Sequence, residues 1–345
     1  MQNSPRYVTL DGMRGLAALA VMLYHVTQYT RYHLFPGGPL AVDFFFCLSG
    51  FVMAHAYGAR LLSNMHLTEF AARRLIRLYP MFLIGMAIGV VSMMLQIQAH
   101  QISYTRIQAI VSTLWNLAYL PYLGKAASAT FPSNGPAWSL SFEMLVNILF
   151  GVFLARDRRL PLLPIIGMAA IALVFAFRFK YQVAPGWGSD SVFWGLPRVC
   201  FSFFLGVYIF DAVAKSRYGE PQIFPVRLLF LALIFFLWFG YSSAWLLGVL
   251  FVAPSLVYLG SASEPQSKKW AKLCNYLGWL SYPLYCVHLP IYNIFRAELG
   301  VNYLSSMLAV LCSVVVAHVA SKSIEEPVRR RLALAWKAAA SPKNA

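Results

Sequence analysis

Eleven apolar stretches follow one another along this chain, and that succession constrains its fold more than any single motif. They run at about Asp11–Tyr29, Leu40–Tyr57, Leu78–Ile97, Ile107–Leu123, Trp138–Ala155, Leu162–Phe179, Val192–Val213, Leu228–Ser242, Trp245–Leu259, Leu277–Phe295 and Tyr303–Ala320. In hydrocarbon every backbone N–H and C=O must be satisfied internally, so only helices and closed barrels cross a bilayer. Stretches near the length of about 20 residues needed for a helical span, rather than the ~10 of a barrel strand, select the helix. Charged residues make up only 12% of the chain, against about 25% in a soluble domain. No internal repeat, low-complexity tract or room for an ordinary soluble domain is visible. The expected fold is all-α: a polytopic transmembrane helical bundle formed by residues 1–331, with 332–345 as a cytoplasmic tail.

The net charge of +16, from 28 Lys+Arg and 12 Asp+Glu, is read as a topology signal rather than a nucleic-acid footprint. Suppose the N-terminus is cytoplasmic and Ile107–Leu123 does not fully cross. The clusters Arg73/Arg74/Arg77, Arg156/Arg158/Arg159, Lys215/Arg217, Lys268/Lys269/Lys272 and Arg329/Arg330/Arg331 then all fall inside. A full crossing by that stretch would turn the Arg156 cluster and its successors outward. The positive-inside rule therefore predicts ten crossings plus one re-entrant or surface segment, with both termini cytoplasmic. The apolar start lacks a small-residue cleavage site and is not read as a signal peptide. The five cysteines show no CxxC spacing, so neither a disulfide framework nor a metal site is indicated. Trp187, Trp194 and Trp245, near span ends, are expected to anchor at the interface.

The first span, LDGMRGLAALAVMLYHVTQY, carries Asp11 and Arg14 at one end and His25 further in. Eleven residues return a helix to the same face within roughly 20°, after a rise of about 16 Å. Arg14 and His25 thus share one stripe, and ionisable groups inside a span are functional hypotheses by default. Asp43 is a second charge at an apolar position, expected to pair with Arg14 or another basic group. Ser139, Glu143 and Asn147 step by four and stack on one face. Ser49 and Ser141 read as helix-packing residues, since no GxSxG setting surrounds them.

The blocks LDGMRGLAALAVMLYHV, VDFFFCLSGFVMA, RRLIRLYP, WSLSFEM, LSYPLYCVHLPI and EEPVRR resemble, in the same order, those of the bacterial acyltransferase-3 family of multi-spanning membrane O-acyltransferases. One departure stands out: Glu143 is followed by Met144, where many members have a second acidic residue. A fused extracytoplasmic hydrolase-like domain, seen in some relatives, is not expected. The resemblance implies transfer of an acyl group, usually acetyl from acetyl-CoA, to a hydroxyl of an envelope or exported glycan, at the bacterial inner membrane. It places an essential histidine at His25, fit in kind as a general base, and a family histidine at His288.

Several roles follow as expectations. Glu143 would orient and charge-stabilise the His25 imidazole. Arg14 would steady the pantetheine arm or the developing oxyanion, and Arg73, Arg74 and Arg77 would hold CoA phosphates. His288 would line the acceptor path or cap backbone freed by Pro283 and Pro290; Asp43 and Ser141 would support the path. The expected partners are acyl-CoA, a glycan or lipid-linked sugar, and membrane lipids, with no nucleic acid and no metal. The competing reading is a glycolipid transporter or flippase using His25, Glu143 and Asp43 as a relay.

Overall fold

A computed structural model describes residues 6–124, 128–156, 161–180, 183–216, 224–239 and 244–340. Arg158, Arg159 and Arg217, invoked above for topology, lie outside the described residues. The helices are α1 (Val8–Thr27), α2 (Gly38–Met53), α3 (Ala59–Ser63), α4 (Leu67–Gln98), α5 (Arg106–Leu117), α6 (Ala137–Ala155) and α7 (Leu162–Phe179). They continue as α8 (Val192–Ser216), α9 (Val226–Phe239), α10 (Trp245–Leu247), α11 (Ala253–Ser261), α12 (Lys268–Leu299), α13 (Tyr303–Ala320) and α14 (Glu326–Ala340). Single π turns, Ala54–Gly58, Gly248–Val252 and Ser321–Glu325, join α2 to α3, α10 to α11 and α13 to α14. An isolated bridge between Ala129 and Gly188 is the sole β pairing among the described residues. Six helical stretches there are long and apolar enough to cross a membrane, consistent with a helical membrane protein.

Three helices differ from their sequence-based bounds. α4 begins at Leu67, not near Leu78, so Arg73, Arg74 and Arg77 ride on its first three turns. α12 begins at Lys268 and carries the lysine cluster. α13 runs through its π turn into α14, so residues 332–340 of the expected tail are helical. The cause is common to all three: polar residues with good helix propensity extend a span past its apolar limit.

α1 lies at the centre, packed along α12 and flanked by α2, α9, α11 and α13. Its approach to α12 depends on small residues on both sides. A Cβ on Gly15 would collide with the Leu277 backbone, and one on Gly278 would collide with Asp11. The α2–α8 contact is built the same way, with Gly50 against the Phe203 carbonyl and Gly206 against that of Cys47. Small-residue contacts are the usual route to tight helix packing in membranes, where hydrophobicity alone does not drive association. Pro290 lacks an N–H and so releases the carbonyl of Cys286 inside α12. Asn134 Nδ2 takes up that carbonyl at 2.9 Å, pinning the loop before α6 to α12.

α5 is built inside out. Its buried positions are Ala109, Ser112 and Asn116, whereas Ile107, Ile110 and Leu114 are 74%, 55% and 62% exposed. Twelve residues span about 18 Å, short of a ~30 Å hydrocarbon core. A reciprocal capping box between Thr105 and Gln108 starts the helix. Tyr79 Oη donates to the Leu117 carbonyl (3.0 Å) and Phe82 stacks on Tyr119 (4.3 Å), so its far end lies beside the middle of α4.

The first turn of α1 is capped from a distance. Both carboxylate oxygens of Glu264, between α11 and α12, accept from the Val8 amide (3.1 and 3.2 Å). Burial pushes this carboxyl up to about 7, against the pull of the Val8 and Thr9 amides and with Asp11 adding to the rise. The folded state thus binds a proton more tightly than the unfolded chain, so this group's stabilisation is present at low pH and fades as pH rises through 7. The thermal midpoint in detergent is expected to fall between about pH 5 and about pH 8, and Glu264→Gln to flatten that slope. An unchanged slope in the variant contradicts the assignment.

Candidate active site

The α1–α12 contact brings together two imidazoles 263 residues apart in sequence. His288 is fully buried on α12, and its Nδ1 lies 3.0 Å from the Leu284 carbonyl. A carbonyl only accepts, so Nδ1 carries the hydrogen, and Nε2 of the neutral ring holds the lone pair. That Nε2 lies 3.0 Å from His25 Nδ1. His25 Nδ1 also lies 3.0 Å from the Val21 carbonyl, again an obligate acceptor. In the neutral pair His25 Nδ1 is therefore the donor to both, and the His25 lone pair sits on Nε2. This nitrogen has no hydrogen-bond partner among the described residues, and His25 is only partly buried. The arrangement presents a proton acceptor whose tautomer is set by the Val21 carbonyl and a second ring. Tyr24 packs edge-on against His25, and Tyr285 lies 5.9 Å from His288 between ring centres.

Toward the N-terminal end of α1 lies a cavity of about 360 Å³. Five arginines (Arg6, Arg14, Arg74, Arg77 and Arg329) line it against two acids, Glu143 and Glu325, with Phe45, Leu48 and Tyr285 among the apolar wall. Arg14 is held rigidly: Nε donates to Ser281 Oγ (3.0 Å), and Nη2 donates to Asp11 Oδ1 (2.8 Å) and the Gly278 carbonyl (2.9 Å). Arg74 Nη2 donates to Glu143 Oε1 (3.0 Å), which also accepts from Ser49 Oγ (2.7 Å). Arg74 Nε is buried without a partner, and Arg77 has no hydrogen-bond or ion-pair partner among the described residues. The wall thus carries positive charge and orphaned donors that a polyanionic ligand would satisfy. Tyr285 belongs both to this wall and to the surroundings of His288, and joins the two regions.

Each expected residue now has a place. Arg14, Arg74, Arg77 and Glu143 share the cavity, while His25 and His288 meet beyond its wall. Glu143 does not orient His25; its Oε1 is engaged by Arg74 and Ser49, and His288 holds the imidazole instead. Arg73 turns away from the cavity and pairs with Glu69 one turn before it. Its neighbour Arg74 points inward because adjacent helical positions lie about 100° apart. Pro290 is answered by Asn134 rather than by His288. Ser141 does not line the cavity; its Oγ donates to the Tyr119 carbonyl (2.6 Å) and ties α6 to the segment after α5. Ser49, expected only to pack, hydrogen-bonds Glu143 on the cavity wall.

The basic group that Asp43 pairs with is Arg198 rather than Arg14. Arg198 Nε and Nη2 grip the two carboxylate oxygens at 2.8 and 2.7 Å. Nη1 also donates to the carbonyl of Pro185 and Nη2 to that of Pro39 (2.9 and 2.8 Å). The guanidinium lies between the rings of Trp138 and Trp245, 5.4 and 5.5 Å from their centres. Trp245 is therefore a buried stacking partner, not an interface anchor. The signal for Arg198 was present in the sequence as a lone charge inside the apolar run GLPRVCF. No group of three or more potential metal ligands occurs among the described residues.

The chain is 31% identical over 197 residues to protein 2 in the picA locus of Rhizobium radiobacter, covering 51% of this chain and 98% of that protein. It is 25% identical over 364 residues to the peptidoglycan O-acetyltransferase OatA of Listeria monocytogenes, covering 95% of this chain. It spans only 56% of that relative's length. The exopolysaccharide production protein ExoZ of Rhizobium meliloti is 28% identical over 159 residues, 46% of each chain. No solved structure matches. Residues 7–322 match the family described as an acyltransferase domain, and the chain belongs to the acyltransferase-3 family.

Proposed function

We propose that this protein transfers an acyl group, acetyl from acetyl-CoA, to a hydroxyl of an envelope or exported glycan, from the bacterial inner membrane. The observation that carries the reading is the paired imidazole that leaves the lone pair of His25 Nε2 available. A sugar hydroxyl is a poor nucleophile at neutral pH and needs a base as it attacks. His25 Nε2 takes the hydroxyl proton while the oxygen bonds to the thioester carbonyl carbon. The carbon–sulfur bond then breaks, and the departing CoA thiolate recovers the proton from the imidazolium. His288 Nε2 accepts from His25 Nδ1 throughout and spreads the imidazolium charge. The named activity of the OatA relative, peptidoglycan O-acetylation, supports the substrate class.

The lining of the cavity supports a CoA donor. Arg77 and the free Nε of Arg74 are suited to phosphate, and Arg14 lies deeper on the same helix stripe as His25. About 16 Å separates Arg14 from His25 along α1, which matches an extended pantetheine arm. The topology proposed with this reading has ten crossings, both termini in the cytoplasm and α5 as the re-entrant segment. A relay transporter is less well supported, because Glu143 and Asp43 are each committed to an arginine and neither touches His25.

Mass spectrometry of surface polysaccharide from cells with and without the gene tests the reaction. Loss of O-acetyl groups is expected, and identical acetylation contradicts it. Titration of CoA tests the donor site. Arg77→Gln is expected to weaken CoA by about ten- to a hundredfold, the worth of a charge-assisted contact, and Arg73→Gln to leave it unchanged. The reverse ranking would move the donor out of this cavity.

A further inference from the structure

The histidine pair is bordered, at the end of the bundle away from the arginine cavity, by a stripe that neither the donor nor the base uses. On α12 Tyr292 and Arg296 follow His288 at four-residue steps, so all three side chains share one face. Tyr292 is 0% exposed, and its hydroxyl is buried without a hydrogen-bond partner among the described residues. Buried hydroxyls in native structures are nearly always paired. Arg296 donates to Gln96 Oε1 (3.0 Å) and lies over the Tyr29 ring, 5.6 Å from its centre. Tyr29 is four residues past His25. Further out, Tyr32 and Tyr303 stack with centres 6.1 Å apart and planes at 30°, each more than half exposed.

Resting on the reading that a glycan hydroxyl is the acceptor, we propose that this stripe is the acceptor site. A sugar chain lies across Tyr29, Tyr32 and Tyr303, and its reactive hydroxyl reaches His25 Nε2 past Tyr292 and Arg296. The chemistry selects a sugar. The C–H faces of a pyranose cover exposed aromatic rings, and tyrosine offers a large rigid ring with a polar tip. Sugar hydroxyls both donate and accept, which suits an orphaned phenol, a guanidinium and an amide in one row. A lipid tail would leave the Tyr292 phenol unpaired. Donor and acceptor then approach the base from opposite ends of α1, so neither blocks the other.

The test uses the full chain in lipid nanodiscs, with acetyl-CoA and polysaccharide extracted from cells lacking the gene. Tyr29→Ala, Tyr292→Phe and Arg296→Gln are each compared with the parent for the KM of polysaccharide and for CoA affinity by calorimetry. The expected result is a polysaccharide KM raised at least tenfold in Tyr29→Ala and Arg296→Gln, and severalfold in Tyr292→Phe, with CoA affinity unchanged. Tyr292→Phe removes only a hydroxyl and so separates binding from folding. A parent-like KM in all three variants, as interface-anchoring tyrosines would give, overturns the acceptor site while leaving the reaction standing. No transfer by the parent chain overturns the reaction itself, and the acceptor site with it.

Discussion

His25→Gln is expected to lower single-turnover acyl transfer by about 10²- to 10⁴-fold, the usual contribution of a positioned general base, while CoA affinity stays unchanged. Glutamine keeps a polar side chain facing His288 but has no lone-pair nitrogen to take a proton. His288→Phe is expected to cost less, roughly tenfold, since His25 Nδ1 still has the Val21 carbonyl at 3.0 Å. The two variants together separate chemistry from positioning. An effect at His288 as large as that at His25 would make the pair, rather than His25 alone, the reacting unit. Full activity in His25→Gln would remove the base from the account.

The largest effect on stability is expected at Arg198. Its side chain and that of Asp43 are 1% and 0% exposed, and Arg198 donates to both oxygens of the Asp43 carboxylate. Removing one member of such a pair leaves a buried charge uncompensated, at about 3–5 kcal/mol. Arg198→Met also orphans the carbonyls of Pro185 and Pro39 and opens space between Trp138 and Trp245. The variant is expected to lose roughly that amount in denaturant unfolding of the detergent-solubilised chain. Pairing it with Asp43→Leu should recover much of the loss, because an apolar pair of similar volume replaces buried ions at little net cost. If the double variant is no better than the single, the fork serves as more than a self-cancelling charge pair. The pair joins α2 to α8 and to the segment before α8, where Gly186 lies against the Trp138 ring of α6.

The helical class was legible because a bilayer leaves so few options to a chain with these apolar runs. His25 and Arg14 were legible for a related reason: ionisable groups are conspicuous where almost everything else is apolar. Arg198 satisfied the same criterion in GLPRVCF and could have been found by it. Partner choice was not legible. Asp43 finds Arg198 across 155 residues, and Glu143 finds Arg74 across 69; nothing local in the sequence encodes either distance. The inside-out character of α5 was hidden as well. Its stripe of Ile107, Ile110 and Leu114 reads as a core-facing face until the burial of Ser112 and Asn116 reveals the opposite side. The extension of α4 back to Leu67 mattered most for the site, since it turned a loop of arginines into a helix that sorts Arg74 inward and Arg73 outward.

The Val21 carbonyl and His288 together fix the His25 tautomer so that Nε2 holds the lone pair. Nitrogen-15 spectra of the histidine-labelled full chain in nanodiscs read that directly, with His25→Gln and His288→Phe used for assignment. The account predicts a neutral His25 ring with hydrogen on Nδ1 and none on Nε2, and a coupling from His25 Nδ1–H to His288 Nε2 that disappears in His288→Phe. A His25 ring carrying its hydrogen on Nε2 in the resting protein would contradict it.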